Sequence, residues 1–136
     1  MLISNRFASE LATDFGVMSC TDITGFGLAG HLLEMIGPEV GVEIDLDKIP
    51  CLPGSLEVIN RLKIRSSLHD ANKKASKLEV LHEKSEILFD PQTSGGLVLA
   101  VKKSRATEMI SSLAHKGYKH AAIIGESIPE SCLRVK

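Results

Sequence analysis

The stretch at residues 19–31, SCTDITGFGLAGH, limits what this chain of 136 residues can fold into more than any other part of it. Residues 17–20 predict a short strand, and apolar residues recur at helical spacing over residues 26–36. Gly37 and Pro38 then predict the end of that helix. The sequence therefore predicts a strand that leads through a short loop directly into a helix.

The loop between these two elements carries polar side chains and glycines. Asp22 and Thr24 place a carboxylate and a hydroxyl just beyond the predicted strand, and Gly25 and Gly27 follow. Glycine allows positive φ or a close approach to a ligand, and a helix N-terminus offers free N–H groups. Because carboxylates bind hard cations, the loop predicts an anion site with a metal ion beside it at Asp22. A helix-capping role for Asp22, which needs no metal, remains the alternative.

The same glycines also match the dinucleotide fingerprint G-x-G-x-x-G. Residues 25–30 fit that pattern literally, and Asp45 lies near the distance expected of a ribose-binding acid. In the fingerprint, however, the glycines follow the strand directly, whereas polar residues 21–24 intervene here. An anionic Asp22 would also repel a pyrophosphate unless a metal lay between them. We therefore interpret the loop as a phosphate and metal site rather than a dinucleotide site.

The rest of the chain interleaves helices and strands. Helices are predicted at residues 5–15, 55–68 and 104–117, with Ser55 and Ser104 as N-caps, and helical pieces at 66–82. Strands are predicted at residues 40–46, 97–101, 121–124 and 131–135. The continuous apolar run at 97–101 is typical of a strand covered on both faces. The predicted fold class is α/β in the α+β sense, a mixed β-sheet with helices packed over it.

Composition excludes several classes of function. The chain is 43% hydrophobic and 24% charged, which fits one domain with a real core. A formal net charge of −1 and only 4% aromatic residues give no indication of a nucleic-acid or anionic-membrane partner. No apolar run is long enough to span a bilayer. Three cysteines without metal-type spacing indicate reduced thiols in a cytoplasmic protein.

A second polar stretch, DPQTSGG at residues 90–96, precedes the apolar run. Thr93 and Ser94 supply hydroxyls, and Gly95 and Gly96 leave backbone amides uncovered just before a strand. Proline and glycine alone require no more than a turn. The residue types leave a structural turn and a loop that contacts phosphate or a partner equally open.

Most other reactive side chains predict structural roles. We interpret His31 as a packed or capping histidine rather than a base, and Cys20 as a small buried residue rather than a nucleophile. The remaining histidines have no ligand spacing and are expected to be solvated: His69, His82, His115 and His120.

The two motifs together resemble a known family. TDITGFGLAGHLLEM at residues 21–35 and DPQTSGGL at 90–97 closely resemble selenophosphate synthetase, also called selenide, water dikinase. IPCLPG at 49–54 and IGE at 124–126 are also similar to that family. Residues 65–70, RSSLHD, depart from the bacterial pattern, so their role is undetermined. The resemblance implies the fold of the C-terminal domain shared with aminoimidazole ribonucleotide synthetase.

The resemblance also implies a reaction and a set of site residues. The family uses ATP, selenide and water to make selenophosphate, AMP and phosphate, which serves selenocysteine biosynthesis. By motif, Asp22 would be this domain's ligand to Mg2+. The loops expected to line the phosphate cleft contain Thr24, Gly25, Gly27, Ser94, Gly95 and Gly96. No catalytic residue is expected in this chain.

The same resemblance covers only half of the family's protein. It implies that residues 1–136 are one C-terminal domain, without the N-terminal ATP-binding domain that carries a reactive Cys or selenocysteine. The implied partners are that N-terminal domain and a second copy in a homodimer, with no nucleic acid and no membrane. Two other functions stay open: a related domain of another ATP-dependent phosphoryl-transfer enzyme, and a non-catalytic binding module.

Overall fold

The structure, a computed structural model, describes residues 3–17 and 19–136. Four α-helices and five strands alternate along this part of the chain, joined by short 3₁₀ and π-helical turns. The helices are α1 (Arg6–Asp14), α2 (Gly27–Met35), α3 (His69–Ser76) and α4 (Ala106–His115). The strands are β1 (Ser19–Asp22), β2 (Gly41–Ile44), β3 (Leu97–Ala100), β4 (Gly125–Ile128) and β5 (Leu133–Val135).

The strands form two separate small sheets. Strands β1 and β3 pair antiparallel as a two-stranded sheet, with Asp22 opposite Leu97. The other sheet has the order β4-β2-β5, in which β2 is antiparallel to β4 and parallel to β5. The fold is therefore α+β with a mixed sheet, as predicted, although the strands divide between two sheets.

Two hydrophobic clusters hold these elements together. The larger one surrounds α2, where Ala29 and Leu32 are buried against Ile44 of β2 and Phe89 of the 3₁₀ helix Ser85–Phe89. The smaller one joins α1 to α4 through Ala8, Met109 and Leu113. Burial of such side chains stabilises a fold by about 25 cal/mol per Å² of apolar surface removed from water. The two clusters fix the positions of α1 and α2, which flank the two-stranded sheet.

The apolar run at residues 97–101 lies between these clusters. Leu97, Leu99 and Val101 pack against the smaller cluster, whereas Val98 packs against the larger one. Because successive side chains of a strand point to opposite faces, one run contributes to both clusters. The prediction of a strand with apolar contacts on both faces is confirmed, with each residue half-buried or exposed rather than fully buried.

Several predicted boundaries were wrong. The strand predicted at 17–20 is β1 at Ser19–Asp22, so Asp22 ends the strand instead of following it, and Met18 lies outside the described residues. The helix predicted at 55–68 is only a π-helical turn, Glu57–Arg61, without a side-chain cap. The strand predicted at 121–124 begins only at Gly125, and Arg105 instead of Ser104 is the N-cap of α4. In each case a short element is defined by tertiary contacts that local propensity does not contain.

Candidate functional site

The two sequence motifs lie side by side and form one surface. Beyond the β1–β3 pairing, the Ile23 N–H donates to the Gly96 carbonyl at 3.0 Å, and the Gly95 N–H donates to the Ile23 carbonyl at 3.1 Å. The Gln92 N–H donates to the Thr24 carbonyl at 2.9 Å. Residues that are distant in sequence therefore share one continuous ladder of backbone hydrogen bonds.

Two of the predicted glycines are required by this close approach. Gly27 has φ +69°, and a Cβ there would lie 2.8 Å from the Leu88 carbonyl oxygen. A Cβ on Gly95 would collide with the Ile23 carbonyl oxygen, whereas one on Gly96 would meet nothing within 4 Å. An L side chain at Gly27 would be strained by its φ as well as by the collision. These glycines let the second motif and its preceding turn pack directly on the first.

Two asparagines that the sequence analysis did not identify donate hydrogen bonds to the main chain of the two motifs. Asn72 of α3 donates from Nδ2 to the Gly25 carbonyl at 2.8 Å and to the Phe89 carbonyl at 3.1 Å. Asn5, the N-cap residue of α1, donates from Nδ2 to the Gly95 carbonyl at 2.9 Å. Both bond to main-chain carbonyls, for which the sequence carries no spacing signal.

Asp22 is the exposed carboxylate at this surface. In the described part of the chain, no Lys, Arg or His lies within ion-pair distance of it. Carboxylate oxygens are ligands that suit a hard cation such as Mg2+. Among residues 3–17 and 19–136, no three His, Cys, Asp or Glu side chains cluster as a metal site. Asp22 can thus supply one ligand to a metal, but this surface does not enclose one by itself.

The first turn of α2 differs from the expected open anion site. Gly27, Leu28 and Ala29 are buried, and the backbone of residues 88–90 lies against Gly27. Within the two loops, residues 21–26 and 90–96, the residues exposed to solvent are Asp22, Phe26, Gln92, Thr93, Ser94 and Gly96. Thr24, Gly25 and Gly95 are half-buried between them. A ligand at this surface would meet the edge of the two loops and not the axis of the helix.

His31 is buried beneath the first motif, which confirms its interpretation as a packed residue. Its Nε2 lies 3.1 Å from the Thr24 hydroxyl oxygen, and its Nδ1 lies 3.0 Å from a carboxylate oxygen of Glu34. The Phe26 ring stacks at a tilt on the imidazole with the ring centres 5.5 Å apart. A Cβ on Gly30 would lie 2.5 Å from the Phe26 Cβ, so a glycine there leaves room for this ring.

Residues 65–70, whose role the sequence left undetermined, contact the 3₁₀ helix Ser85–Phe89 that precedes the second motif. Contrary to prediction, His69 is fully buried, and its Nε2 donates to the Glu86 carbonyl at 3.1 Å. The Glu86 carboxylate lies 2.6 Å from Lys73 Nζ and 3.2 Å from an Arg65 guanidinium nitrogen. Burial raises the pKa of Glu86, but Lys73, Arg65 and His69 outweigh this and hold the pKa below its ordinary value. This cluster supports the 3₁₀ helix next to the site.

Two further predictions concern residues in or near the first motif. Cys20 is exposed, so its interpretation as a small buried residue was wrong. Strand β1 places it on the alternating positions that point to solvent. Strands β1 and β2, which flank α2, belong to different sheets, whereas a dinucleotide fingerprint requires parallel neighbours in one sheet. The glycine pattern therefore does not lie in the fold that a dinucleotide-binding site requires.

Comparison with known proteins identifies the class of this domain. The model of the family described as "AIR synthase related protein, C-terminal domain" matches residues 5–136. The chain therefore belongs to this family, in agreement with the fold that the resemblance implied.

More specific similarity is to proteins named "Selenide, water dikinase". The relative from Clostridioides difficile (strain 630) is 38% identical over 136 residues, which are 96% of this chain and 39% of the relative. The one from Carboxydothermus hydrogenoformans is 40% identical over 124 residues, 88% of this chain and 36% of the relative. A third, from Pelobacter propionicus, is 36% identical over 146 residues. The chain thus spans about two fifths of the length of these curated relatives.

Proposed function

We propose that this chain is the C-terminal domain of a two-domain selenide, water dikinase. The full enzyme would convert selenide, ATP and water into selenophosphate, AMP and phosphate. The observation that carries the proposal is the pairing of the two motifs into one surface that exposes the unpaired carboxylate of Asp22. The same two motifs carry the resemblance to the family, and the relatives so named match nearly the whole chain.

In this proposal the domain supplies one wall of the phosphate cleft. Asp22 contributes one carboxylate ligand to Mg2+, and the other ligands come from the N-terminal domain. Thr24, Gly25 and Gly27 give the first loop its shape, and the backbone bonds of Gly95 and Gly96 hold the second loop, with Ser94, beside it. The nucleophile and the rest of the ATP site belong to the N-terminal domain, so this chain supplies no catalytic residue.

The chemistry explains why a carboxylate is needed here. Cleavage of two phosphoanhydride bonds develops negative charge on phosphoryl oxygens, which fixed cations stabilise. Bound Mg2+ would supply that charge at the phosphates. Asp22 lowers the cost of holding a cation at this wall because no lysine or arginine in the described chain neutralises it.

Partners and location follow as part of the same proposal. The full enzyme would be a cytoplasmic homodimer that assembles largely through the N-terminal domain, without nucleic acid or membrane. The formal net charge of −1 supports the absence of a polyanion surface. Among the described residues, no helix is both long and apolar enough to cross a bilayer.

The test uses the full-length protein that carries this chain. With ATP, Mg2+ and sodium selenide we expect saturable release of AMP, and a selenophosphate signal in the 31P NMR spectrum. The 136-residue chain alone should release no AMP above a control without protein. An upstream coding sequence without a Cys or selenocysteine followed closely by Lys would favour a non-catalytic module and overturn the proposal. Robust AMP release by the isolated chain would contradict the assignment of the nucleophile to another domain.

A further inference from the structure

His31 connects an inner loop residue to a solvent-facing carboxylate. Its side chain is only 9% exposed, whereas that of Glu34 is 57% exposed. The Thr24 hydroxyl lies on one side of the ring at 3.1 Å and the Glu34 carboxylate on the other at 3.0 Å. These three side chains form a single hydrogen-bonded chain that starts in the first motif and ends on α2.

For a neutral imidazole, the chemistry of the two ends allows one arrangement of the protons. An ionised carboxylate can only accept a hydrogen bond, so His31 Nδ1 must carry the proton that it donates to Glu34. In the neutral imidazole Nε2 is then bare and can only accept. The donor to Nε2 is then the Thr24 hydroxyl, whose hydrogen must point toward this nitrogen. The Thr24 oxygen is left with lone pairs alone for any other partner.

We propose that Glu34 and His31 are positioning residues that turn the Thr24 hydroxyl into an obligate acceptor beside Asp22. This inference rests on the proposed function. An oxygen without a free hydrogen suits a cation and gives no hydrogen bond to a phosphate oxygen. Thr24 would thus act with Asp22 on the metal side of the cleft instead of with the phosphate-facing loops.

The backbone places the side chains of Asp22 and Thr24 on one side of the chain. Ile23 is buried and keeps its strand hydrogen bonds to Gly95 and Gly96, so the extended conformation continues beyond β1. Side chains two apart in an extended segment point to the same face, which places Asp22 and Thr24 on one face, opposite Ile23. The half-buried position of Thr24 limits competition from water for its hydrogen.

The proton order can be measured without any reaction. Long-range 1H–15N NMR spectra of the 15N-labelled 136-residue chain at about pH 8 report which imidazole nitrogen carries the proton. We expect His31 to be the Nδ1–H tautomer, and Glu34→Ala to shift it toward Nε2–H. The matched variant Glu39→Ala, at an exposed glutamate just beyond α2, should leave the tautomer unchanged. An Nε2–H tautomer or an imidazolium in the unsubstituted chain would overturn the inference.

The consequence for the metal is measured in the full-length protein. Thr24→Val keeps the shape of the side chain and removes its oxygen, so we expect activity to fall about 10- to 100-fold, with Thr24→Ser close to the unsubstituted protein. Glu34→Ala should raise the Mg2+ concentration for half-maximal activity about 10-fold. Thr107→Val, an equivalent change at an exposed residue of α4, is the control.

The two proposals fail in different ways. If the unsubstituted full-length protein releases no AMP, the proposed function is wrong, and the NMR experiment still decides the proton order. If that protein is active but Thr24→Val behaves like Thr107→Val, the acceptor role of Thr24 is wrong and the proposed function stands. An unchanged Mg2+ requirement in Glu34→Ala would overturn the positioning role of Glu34 and His31.

Discussion

Two carboxylates near the second motif, those of Glu86 and Asp22, have opposite surroundings. Glu86 lies in the 3₁₀ helix that precedes this motif, and Asp22 lies at the end of β1. Glu86 has a side chain that is 14% exposed and is surrounded by Lys73, Arg65 and His69. Asp22 is exposed, and the described chain places no cation against it. The charge of Glu86 is compensated within the domain, whereas the charge of Asp22 can be compensated only by a group from outside the described chain.

This difference separates a structural charge from a functional one. A buried carboxylate must be paired, because an unpaired charge in a low dielectric is costly. A substitution of Glu86 is therefore expected to change the stability of the fold. An exposed carboxylate costs little to leave unpaired, so folding neither requires nor explains the carboxylate of Asp22 beside the second motif. The contrast predicts that substitutions at the two sites have opposite consequences, one on activity and the other on stability.

The largest effect is expected at Asp22, on activity alone. Asp22→Asn in the full-length protein should lower selenide-dependent AMP release about 100-fold or more, because loss of the anionic ligand removes several kcal/mol of charge stabilisation. High Mg2+ should recover part of the loss, and the urea midpoint should not change. Asp14→Asn, at another exposed aspartate, is the control. Near-normal activity and Mg2+ dependence in Asp22→Asn would make this residue a spacer, because the N-cap of α2 is Phe26 and no side chain caps that helix.

The junction between the two motifs should show the next largest effect. Gly95→Ala places a Cβ against the Ile23 carbonyl, and overpacking of this kind costs about 1–3 kcal/mol. Gly96→Ala is the adjacent control, since its Cβ meets nothing within 4 Å and should change stability by less than about 0.5 kcal/mol. Urea denaturation of the chain measures both. Equal midpoints for the two variants would show that the loops do not pack as closely as described.

Glu86→Gln tests the compensated side of the comparison. At pH 7 we expect a loss of about 1–2 kcal/mol, because Lys73 and Arg65 lose their charged partner. The pKa of Glu86 is lowered on folding from its ordinary 4.5, so its contribution is present above that pH and is lost as pH falls through the folded pKa. The difference between variant and unsubstituted chain should therefore shrink in acid. Glu126→Gln, at an exposed ion pair with Lys103, should have little effect at any pH.

The smallest expected signal is in dinucleotide binding. Gly27 and Gly30 are accounted for by close packing against the backbone of residue 88 and against Phe26, and strands β1 and β2, which a dinucleotide fold would need as parallel neighbours, lie in different sheets. Calorimetry with NADH or NADPH should give no heat of binding to the chain. A 1:1 complex with micromolar affinity would restore the dinucleotide interpretation of the glycine pattern.

Sequence periodicity predicted most of the elements, and its errors have one cause. Helices α1, α2 and α4 and strands β2, β3 and β5 fall within their predicted ranges, because each has an amphipathic, alternating or continuous apolar pattern of its own. The helix predicted at 55–68 is only a turn, and His69 is buried instead of solvated. Both outcomes depend on contacts with residues that are distant in sequence. A local pattern carries no information about such contacts.

What the sequence determined by itself is the order of elements, the two motifs and the types of residue they offer. Those properties are local, since a glycine, a carboxylate or an apolar spacing has the same meaning before folding. Only the tertiary structure decided that the two motifs form one surface, that Asn72 joins Gly25 to Phe89, and that His31 lies between Thr24 and Glu34. The physical reason is that buried backbone and side-chain polar groups must find hydrogen-bond partners, and packing determines which partners are within reach.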